Sequence, residues 1–375
     1  MTTLKDSPNT AAPETLVLDA PTLRDLEVFE SSSAELSLFR LCNQTRTDGG
    51  ARVLRRRMAN PWARAENIKA TQQAVSYVTN NRSAFSKMPS AYSANRVDHY
   101  THEVLPIVLH EHWFEFGIGA LSLWANHDRH YTAIAVGVQM TCGFMRSLRS
   151  FVSEVVLTSE AGELNSLFKE ITELLDSPNL AAVPNEQVGG WPWRIVRLDQ
   201  IFRLHEKTTI ARLQELLHEV DAIVSMADVT IEHGFVMPSI LSGGLRVEAE
   251  DLVHPFVEHA VANPVAIDQS ARVLFLTGPN MAGKTTYLRA FATALYFAHL
   301  GMGVPAKSFG FVPAQRLFSS LSLTDDLHGG VSYFRAEALR VKAIAQAVAE
   351  GYRVVALMDE PFKGTNVKDA LDASR

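Results

Sequence analysis

Apolar residues recur three and four positions apart through the first two thirds of the chain, from about residue 16 to residue 242. This spacing predicts amphipathic helices, because an α-helix brings such positions onto one face. A mostly apolar stretch at residues 131–145 is shorter than a membrane-spanning helix, so we expect a buried core helix there. The clearest run predicts one or two long helices and has apolar residues at Leu198, Ile201, Leu204, Ile210, Leu213, Leu216, Leu217, Val220, Ile223 and Val224.

The pattern changes after a Ser-Gly-Gly run that ends the helical region. Short apolar or β-branched runs at residues 246–248 and 272–277 then alternate with helical spacing, which is typical of an α/β unit with parallel strands. We therefore predict a multidomain α and α/β chain, with an α-helical domain at residues 14–242 and an α/β domain at residues 243–375. Residues 1–13 are rich in Thr, Ser, Pro and Ala without an apolar period, and we expect a disordered leader there.

The composition is that of an ordinary globular protein, with 47% hydrophobic and 20% charged residues among 375. The net charge of −6 gives no global positive field for nucleic acid, although a local basic face stays possible. Cys42 and Cys142 lie far apart and outside any C-x-x-C motif, which argues against a disulfide framework or a zinc site. We expect a cytoplasmic protein that makes no contact with membranes.

A glycine-bracketed loop follows an apolar run at residues 273–277, which we predict to be a short buried strand. The pattern G-x-x-x-x-G-K-S/T between a strand and a helix is typical of a loop whose backbone amides surround a triphosphate. Lys284 would reach the β- and γ-phosphates, and Thr285 would place its hydroxyl on Mg²⁺. A glycine-rich turn with a chance lysine is the structural alternative. The candidate nucleotide-binding residues are Gly278, Pro279, Asn280, Met281, Ala282, Gly283, Lys284, Thr285 and Thr286.

A second apolar run, residues 352–358, ends in two carboxylates and resembles a Walker B strand. Asp359 would hold Mg²⁺ together with Thr285, and Glu360 would orient the attacking water. Lys284 and Glu360 are accordingly the candidate catalytic residues. Without the preceding loop, an apolar run followed by Asp-Glu would usually mark a strand that reaches solvent.

The segment from Thr277 to Arg289 resembles the nucleotide-binding loop of the MutS DNA mismatch-repair ATPases, whose pattern is G-P-N-M-x-G-K-S/T-x-Y-x-R. Residues 325–337 resemble the signature segment of that family, and residues 359–366 resemble its Walker B motif and the following D-loop. Upstream, residues 18–20, 26–28 and 45–61 resemble the start of the family's helical core or lever domain. Residues 220–225 and 254–255 resemble its end and the entry to the ATPase domain.

The resemblance implies an α-helical core or lever domain followed by an ABC-like P-loop NTPase domain. It implies an ATPase that uses ATP and Mg²⁺, works as a homodimer with composite ATP sites, and binds DNA in repair or recombination. Ser332 would then act in trans, on the γ-phosphate held by the partner subunit. From the residues alone, the stretch ending at Ser332 would be only a loop before a helix.

The sequence departs from the family pattern in several places. Too few residues precede Leu16 for the mismatch-reading domain, and the chain ends at Arg375, before the family's switch histidine and closing strands. We therefore expect a MutS-like protein that lacks the mismatch-reading domain and is truncated at its C-terminus. The stretch from about residue 83 to residue 192 matches weakly and leaves room for a reduced DNA clamp. Ala260 stands where the family often has an aromatic residue that stacks on adenine.

Two rival functions remain open from the sequence. One is a non-hydrolysing interaction protein in which nucleotide binding serves dimerisation, and the other is a P-loop phosphotransferase. Two clusters admit both a functional and a structural interpretation. The arginines could contact DNA phosphates, but we favour a solvated face or ion pairs between helices. The histidines could bind a metal, but we favour satisfied or exposed side chains. These clusters are Arg52, Arg55, Arg56 and Arg57, and His110, His112, His127 and His130.

Overall fold

The computed structural model describes most of the chain and divides it into two compact units. The sheet-containing unit comprises the described residues of 13–44, 55–76 and 225–361, and the helical unit comprises those of 45–54 and 77–224. Nearly all of the predicted leader lies outside the described residues, and the predicted domain boundary at residues 242 and 243 stays a prediction. The described residues are 13–30, 37–110, 112–186, 188–189, 191–279, 281–321 and 333–361.

Helices dominate the described chain, and the helical pattern predicted for residues 16–242 is confirmed apart from two short strands. A π-helical turn, Ile201–His205, interrupts the run that was predicted to form one or two long helices, and the structure has two. The α-helices are α1 (Ala20–Asp25), α2 (Leu38–Cys42), α3 (Asp48–Ala59), α4 (Ala65–Asn80), α5 (Ala91–His102), α6 (Trp113–Asn126), α7 (Asp128–Glu154), α8 (Leu164–Leu175), α9 (Pro178–Ala181), α10 (Pro192–Gln200), α11 (Lys207–Glu232), α12 (Lys284–Leu300) and α13 (Tyr333–Ala349), with a 3₁₀ turn at Ala84–Lys87.

Helix α7 forms the centre of the helical unit and packs against α5, α6, α8 and α10. The apolar stretch at residues 131–145 lies within α7 and contributes buried Ile134, Val138, Phe144 and Met145, which confirms the predicted core helix. Among the described helices, none combines the length and the apolar content needed to cross a membrane.

The start of α3 is held by Asp221 on α11. The Asp221 carboxylate accepts hydrogen bonds from the backbone amides of Arg46 (3.0 Å) and Thr47 (2.9 Å) and from the Thr47 hydroxyl (2.7 Å). Thr47 Oγ1 in turn accepts a hydrogen bond from Gly50 N at 2.9 Å. A Cβ atom at Gly50 would lie closer than 3.0 Å to the Asp221 carboxylate, so glycine is required where the two helices approach.

The sheet-containing unit holds two small sheets, so the fold is mixed helical with small sheets. One sheet has the order β1-β6-β7 with parallel pairing, and the other has the order β2-β5-β3-β4. The strands are β1 (Val17–Leu18), β2 (Ser239–Ile240), β3 (Val247–Leu252), β4 (Asn263–Ile267), β5 (Ser308–Phe311), β6 (Arg316–Ser320) and β7 (Val354–Met358).

The prediction of parallel strands throughout this region is wrong for the second sheet. Strand β3 runs antiparallel to both β4 and β5, and only β2 and β5 pair in parallel there. The residues between β3 and β4 contain no helix. Consecutive strands without a crossover helix pair antiparallel, because a parallel return needs a long connection across the sheet.

The prediction of a buried strand at residues 273–277 is also wrong. This segment has no ladder partner and is largely exposed, with 69% of Val273 and 85% of Phe275 accessible to solvent. Val273 and Leu274 line a cavity of about 300 Å³ together with residues of α12, α13 and β7. Apolar content favours a strand, but only a hydrogen-bonding neighbour makes one, and no described strand pairs with these residues.

Helix α12 forms the core of the sheet-containing unit, and its residues 290–300 are all buried. The Tyr296 hydroxyl donates to the carbonyl oxygen of Met58 at 2.5 Å. His299 Nδ1 lies 2.6 Å from the carbonyl oxygen of Trp62, and its Nε2 accepts a hydrogen bond from Ala314 N at 3.2 Å. Side-chain hydrogen bonds therefore tie the C-terminal half of α12 to its surroundings.

Candidate functional site

The glycine-bracketed loop leads directly into α12, as the sequence predicts. Gly283 has φ 86° and precedes the first helical residue, Lys284. This left-handed conformation favours glycine, because a side chain there would strain the backbone. Met281 also has a positive φ of 67°. The free amides and the positive end of α12 therefore lie directly after Gly283.

Lys284 closes the loop with its side chain. Its Nζ atom donates to the carbonyl oxygens of Gly278 at 2.9 Å and Pro279 at 3.2 Å. Lys284 and Thr285 are half-buried, whereas Thr286 is exposed. An ammonium group and a helix N-terminus at one place favour an anion.

The carboxylate that follows β7 meets the first turn of α12. Thr285 Oγ1 donates a short hydrogen bond to Asp359 Oδ2, across 74 positions of sequence. Asp359 N donates to the carbonyl oxygen of Ser320 at 3.0 Å, which fixes this residue at the ends of the parallel strands β6 and β7. A hydroxyl and a carboxylate oxygen in contact are hard ligands of the kind that Mg²⁺ prefers.

The remaining candidate residues divide into those that the structure describes and those that it does not. Glu360 is exposed, has φ 45°, and follows Asp359 directly. Met281 and Ala282 are exposed on the loop. Asn280 and Ser332 lie outside the described residues, as do the predicted signature segment up to Ser332 and the predicted D-loop at residues 363–366.

A buried polar network joins α1 to β6 and α13, and sequence reasoning missed it. Arg340 donates to the Asp19 carboxylate, to the Ser319 carbonyl oxygen, and to Thr22 Oγ1 at 2.7 Å. Ser319 N donates to Thr22 Oγ1 at 3.0 Å, and Ser319 Oγ donates to Asp25 Oδ2 at 2.8 Å. The Leu-Asp-Ala run at residues 18–20 was the available signal, but its partners are hundreds of positions away.

The charge state of Asp19 reflects that network. Burial by itself raises the pKa of this carboxyl, but hydrogen bonds from Arg340 and Thr22 and the positive charge of Arg340 hold the pKa below its ordinary value. The network therefore stabilises the ionised form of Asp19 at neutral pH and ties the N-terminal segment to the strand beside β7.

Two side chains of α12 also hold its first turns in place. Arg289 forms an ion pair with Glu27 at 3.3 Å, and Tyr287 donates its hydroxyl to the Pro264 carbonyl oxygen at 2.8 Å. Burial, reinforced by the positive charge of Arg289, lowers the pKa of His254 to about 4. His254 is consequently neutral at physiological pH, next to the helix that carries the loop.

One member of the arginine cluster and one member of the histidine cluster have partners that the structure defines clearly. The Arg55 guanidinium lies 4.3 Å from the ring centroid of Phe29 and 5.3 Å from that of Phe39, which is a cation–π arrangement. His110 lies 3.3 Å from the Glu115 carboxylate. Within the described part of the chain, no group of three or more His, Cys, Asp or Glu side chains is arranged to hold a metal by itself.

Comparisons with known proteins match both ends of the chain. The family model described as MutS domain III matches residues 21–97, and that described as MutS domain V matches residues 274–374. The chain is 39% identical over 173 residues to the DNA mismatch repair protein MutS of Brevibacillus brevis, covering 43% of this chain and 20% of that protein. It is 34% identical over 168 residues to the protein of the same name from Desulforamulus reducens, covering 43% of this chain and 19% of that protein. The matched region thus spans about a fifth of the length of these relatives.

Proposed function

The chain belongs to the MutS family, and on that premise we propose that it binds ATP with Mg²⁺ through residues 278–286. The hydrogen bond between Thr285 and Asp359 carries the proposal, because it joins the end of the loop to the carboxylate after β7. The proposed domains are an α-helical core or lever domain at residues 14–242 and a P-loop ATPase domain at residues 243–375.

The donor set of the site fits a magnesium-bound triphosphate. The N-terminus of α12 and the Lys284 ammonium offer positive charge to the phosphates, while Thr285 and Asp359 offer oxygen ligands to Mg²⁺. Bound Mg²⁺ supplies charge neutralisation at the phosphates. Glu360 follows Asp359 and would orient the attacking water, so the proposed reaction is hydrolysis of ATP to ADP and phosphate.

Loss of the Lys284 ammonium tests the binding site. We expect Lys284→Ala to weaken Mg–ATP binding by about a hundredfold, because a charge-assisted contact to phosphate is lost. Titration calorimetry measures this directly, with Lys307→Ala as the matched control, since Lys307 is an exposed lysine of the same unit paired with Glu250. Equal ATP affinity in the Lys284→Ala protein and the wild type would rule out the proposed site.

The roles of Glu360 and Ser332 are separable from binding. Glu360→Ala is expected to keep ATP affinity and lose turnover. If Ser332 acts in trans, mixing equal amounts of Lys284→Ala and Ser332→Ala chains should restore roughly one quarter of wild-type turnover, because half of the dimers are mixed and each has one intact composite site. Mixed chains that stay as inactive as each variant alone would refute the composite site.

We propose DNA as the macromolecular partner on the strength of the family, since both relatives are named DNA mismatch repair protein. The test is fluorescence anisotropy with duplex, branched and mismatched DNA over a range of salt concentrations. Binding through phosphates weakens as salt rises, because bound counterions are released on complex formation. Failure to bind any of the three DNA forms at low salt would remove this part of the proposal.

Nucleotide binding without turnover is a second candidate, and one observation favours it. The segment that precedes the loop, residues 273–277, is outside both sheets. The loop is therefore held at its C-terminal end by helix α12, but no strand holds its N-terminal end. A catalytic site needs its groups held within fractions of an ångström. Measurable ATP affinity with no phosphate release above the Glu360→Ala background would select this candidate.

A further inference from the structure

Four of the five tryptophans in the chain lie on one exposed face of the helical unit. Trp113 and Trp124 are on α6, and Trp191 and Trp193 are at the start of α10. Together with Leu121 they border a groove of about 850 Å³. We call these five residues the tryptophan patch. Their exposed fractions range from 50% for Trp124 to 77% for Trp113.

Helix α6 has apolar residues on opposite sides. Phe116, Ala120 and Leu123 are buried within the helical unit, whereas Leu121 and Trp124 face outward. Glu115 is the one charged residue in the helix sequence. Helices that are apolar all round are normally buried on all sides. The outward side of α6 therefore has the character of a surface that another molecule covers.

The size of this surface matches a protein interface. The exposed fractions of the tryptophan patch and of the adjoining Phe114 and Ile118 (56% each) correspond to on the order of 900 Å² of apolar surface. The largest patch on a typical monomer is about 300–600 Å², whereas each partner of a standard stable interface buries about 800 Å². A small ligand lying in the groove would leave the outward faces of Trp113 and Trp191 in water.

The sparse charge of this face indicates what kind of partner it fits. Arg197 is the charged residue among those that border the groove, and its guanidinium already donates to Gln200. Glu115 lies 3.3 Å from His110. A groove that follows a nucleic-acid backbone needs a row of basic groups, and an acidic or basic protein partner needs a charged counterpart. An apolar partner surface is therefore the kind that complements this face.

We propose that a second copy of this chain covers the tryptophan patch. The patch carries both projecting side chains, with Trp113 and Trp191 at 77% and 70% exposure, and a groove that can receive them. A surface that holds both a projection and its recess is self-complementary, which is what a two-fold symmetric dimer requires. Tryptophan is also the residue type most enriched at the energetic centre of interfaces.

This contact does not rest on the proposed function. An ATP-linked dimer would need nucleotide and Lys284, whereas the tryptophan patch lies wholly in the helical unit. The two are distinguished by measuring self-association of the full chain without nucleotide, in the wild type and in Lys284→Ala. We expect the same dimer in both, so that failure of ATP binding leaves this proposal standing and failure of this proposal leaves ATP binding standing.

Sedimentation velocity over about 0.5–100 µM chain tests the interface, because standard-sized interfaces commonly dissociate within or below that range. Leu121→Glu places a carboxylate in the patch, and we expect it to raise the dissociation constant by about a hundredfold or more. Val156→Glu is the matched control in the same unit, since Val156 is 76% exposed and does not border the groove. Trp191→Ala, at a 70% exposed position, is a milder second variant expected to weaken the dimer by about tenfold.

Circular dichroism of each variant verifies that it is folded. A wild-type chain that stays monomeric over the whole range overturns the proposal, as does a dimer that Leu121→Glu and Trp191→Ala leave unchanged. A monomer whose tryptophan fluorescence is quenched by oligothymidylate would assign the patch to single-stranded nucleic acid and likewise overturn it. A dimer weakened by both patch variants, and not by Val156→Glu, supports it.

Discussion

His299 makes the stability of the sheet-containing unit depend on pH in a way that can be worked out from its contacts. The side chain is fully buried near the C-terminal end of α12. Its Nε2 accepts a hydrogen bond from Ala314 N, so in the neutral ring the proton sits on Nδ1 and is donated to the Trp62 carbonyl oxygen. A second proton on Nε2 would face the Ala314 amide and leave a charge in the core. Burial accordingly lowers the pKa of His299 to about 4 from its ordinary 6.5.

The sign and the size of this pH dependence follow from the difference between the pKa of His299 in the folded chain and its pKa in the unfolded chain. Below pH 6.5 the unfolded chain binds a proton at His299, whereas the folded chain binds this proton only below about pH 4. The free energy of unfolding is therefore fully retained above the unfolded pKa and falls as the pH drops from about 6.5 towards 4. The full loss is about 3 kcal/mol, and about 2 kcal/mol of it is reached at pH 5, at about 1.4 kcal/mol per pKa unit.

Urea unfolding followed by circular dichroism at pH 7.5 and pH 5 measures this contribution. His299→Gln removes the titrating group, so the loss of stability between the two pH values should shrink by about 2 kcal/mol relative to the wild type. His102→Gln, at an exposed histidine of the helical unit, controls for the substitution of histidine by glutamine itself. His254→Gln measures separately the contribution of His254, whose pKa is also lowered to about 4, to the pH dependence of stability. An identical pH dependence in His299→Gln and the wild type would refute the reasoning.

Three further substitutions test packing in the helical unit and an ion pair in the sheet-containing unit. Gly50→Ala should destabilise the chain by about 1–2 kcal/mol, because overlap of the new Cβ with Asp221 outweighs the better helix propensity of alanine. Gly143→Ala, where the nearest side-chain atom is 3.8 Å away, should instead stabilise the chain by up to about 1 kcal/mol, and equal shifts in the two urea midpoints would contradict this. Arg340→Leu should cost about 2 kcal/mol in urea unfolding by leaving the half-exposed Asp19 carboxylate without its guanidinium, and unchanged stability would show that the pair contributes nothing.

Local chemistry made part of the candidate site predictable. Gly283 adopts a left-handed conformation just before α12, and glycine is the residue that does so without strain. Strand β7 and the carboxylate after it were likewise recognisable, because a run of apolar residues ending at Asp359 marks a strand that leaves the core. The sequence also indicated the helical region correctly, since the spacing of apolar residues within one helix is a property of neighbouring positions.

Pairing between distant segments was decided by the tertiary structure. Residues 273–277 have the composition of a strand but no partner strand, and β3 pairs antiparallel because no helix separates it from β4. The apolar outward face of α6 could not be separated from its core face by spacing alone, because both repeat at helical intervals.

The sequence by itself thus determined the periodic helices, the loop before α12 and the strand that ends at Asp359. Only the tertiary structure decided which distant groups meet, such as Thr285 with Asp359 across 74 positions and Arg340 with Asp19 across 321. The physical reason is that periodicity and backbone conformation are set by neighbouring residues, whereas a hydrogen bond between segments depends on how the whole unit packs and has no local signature in the chain.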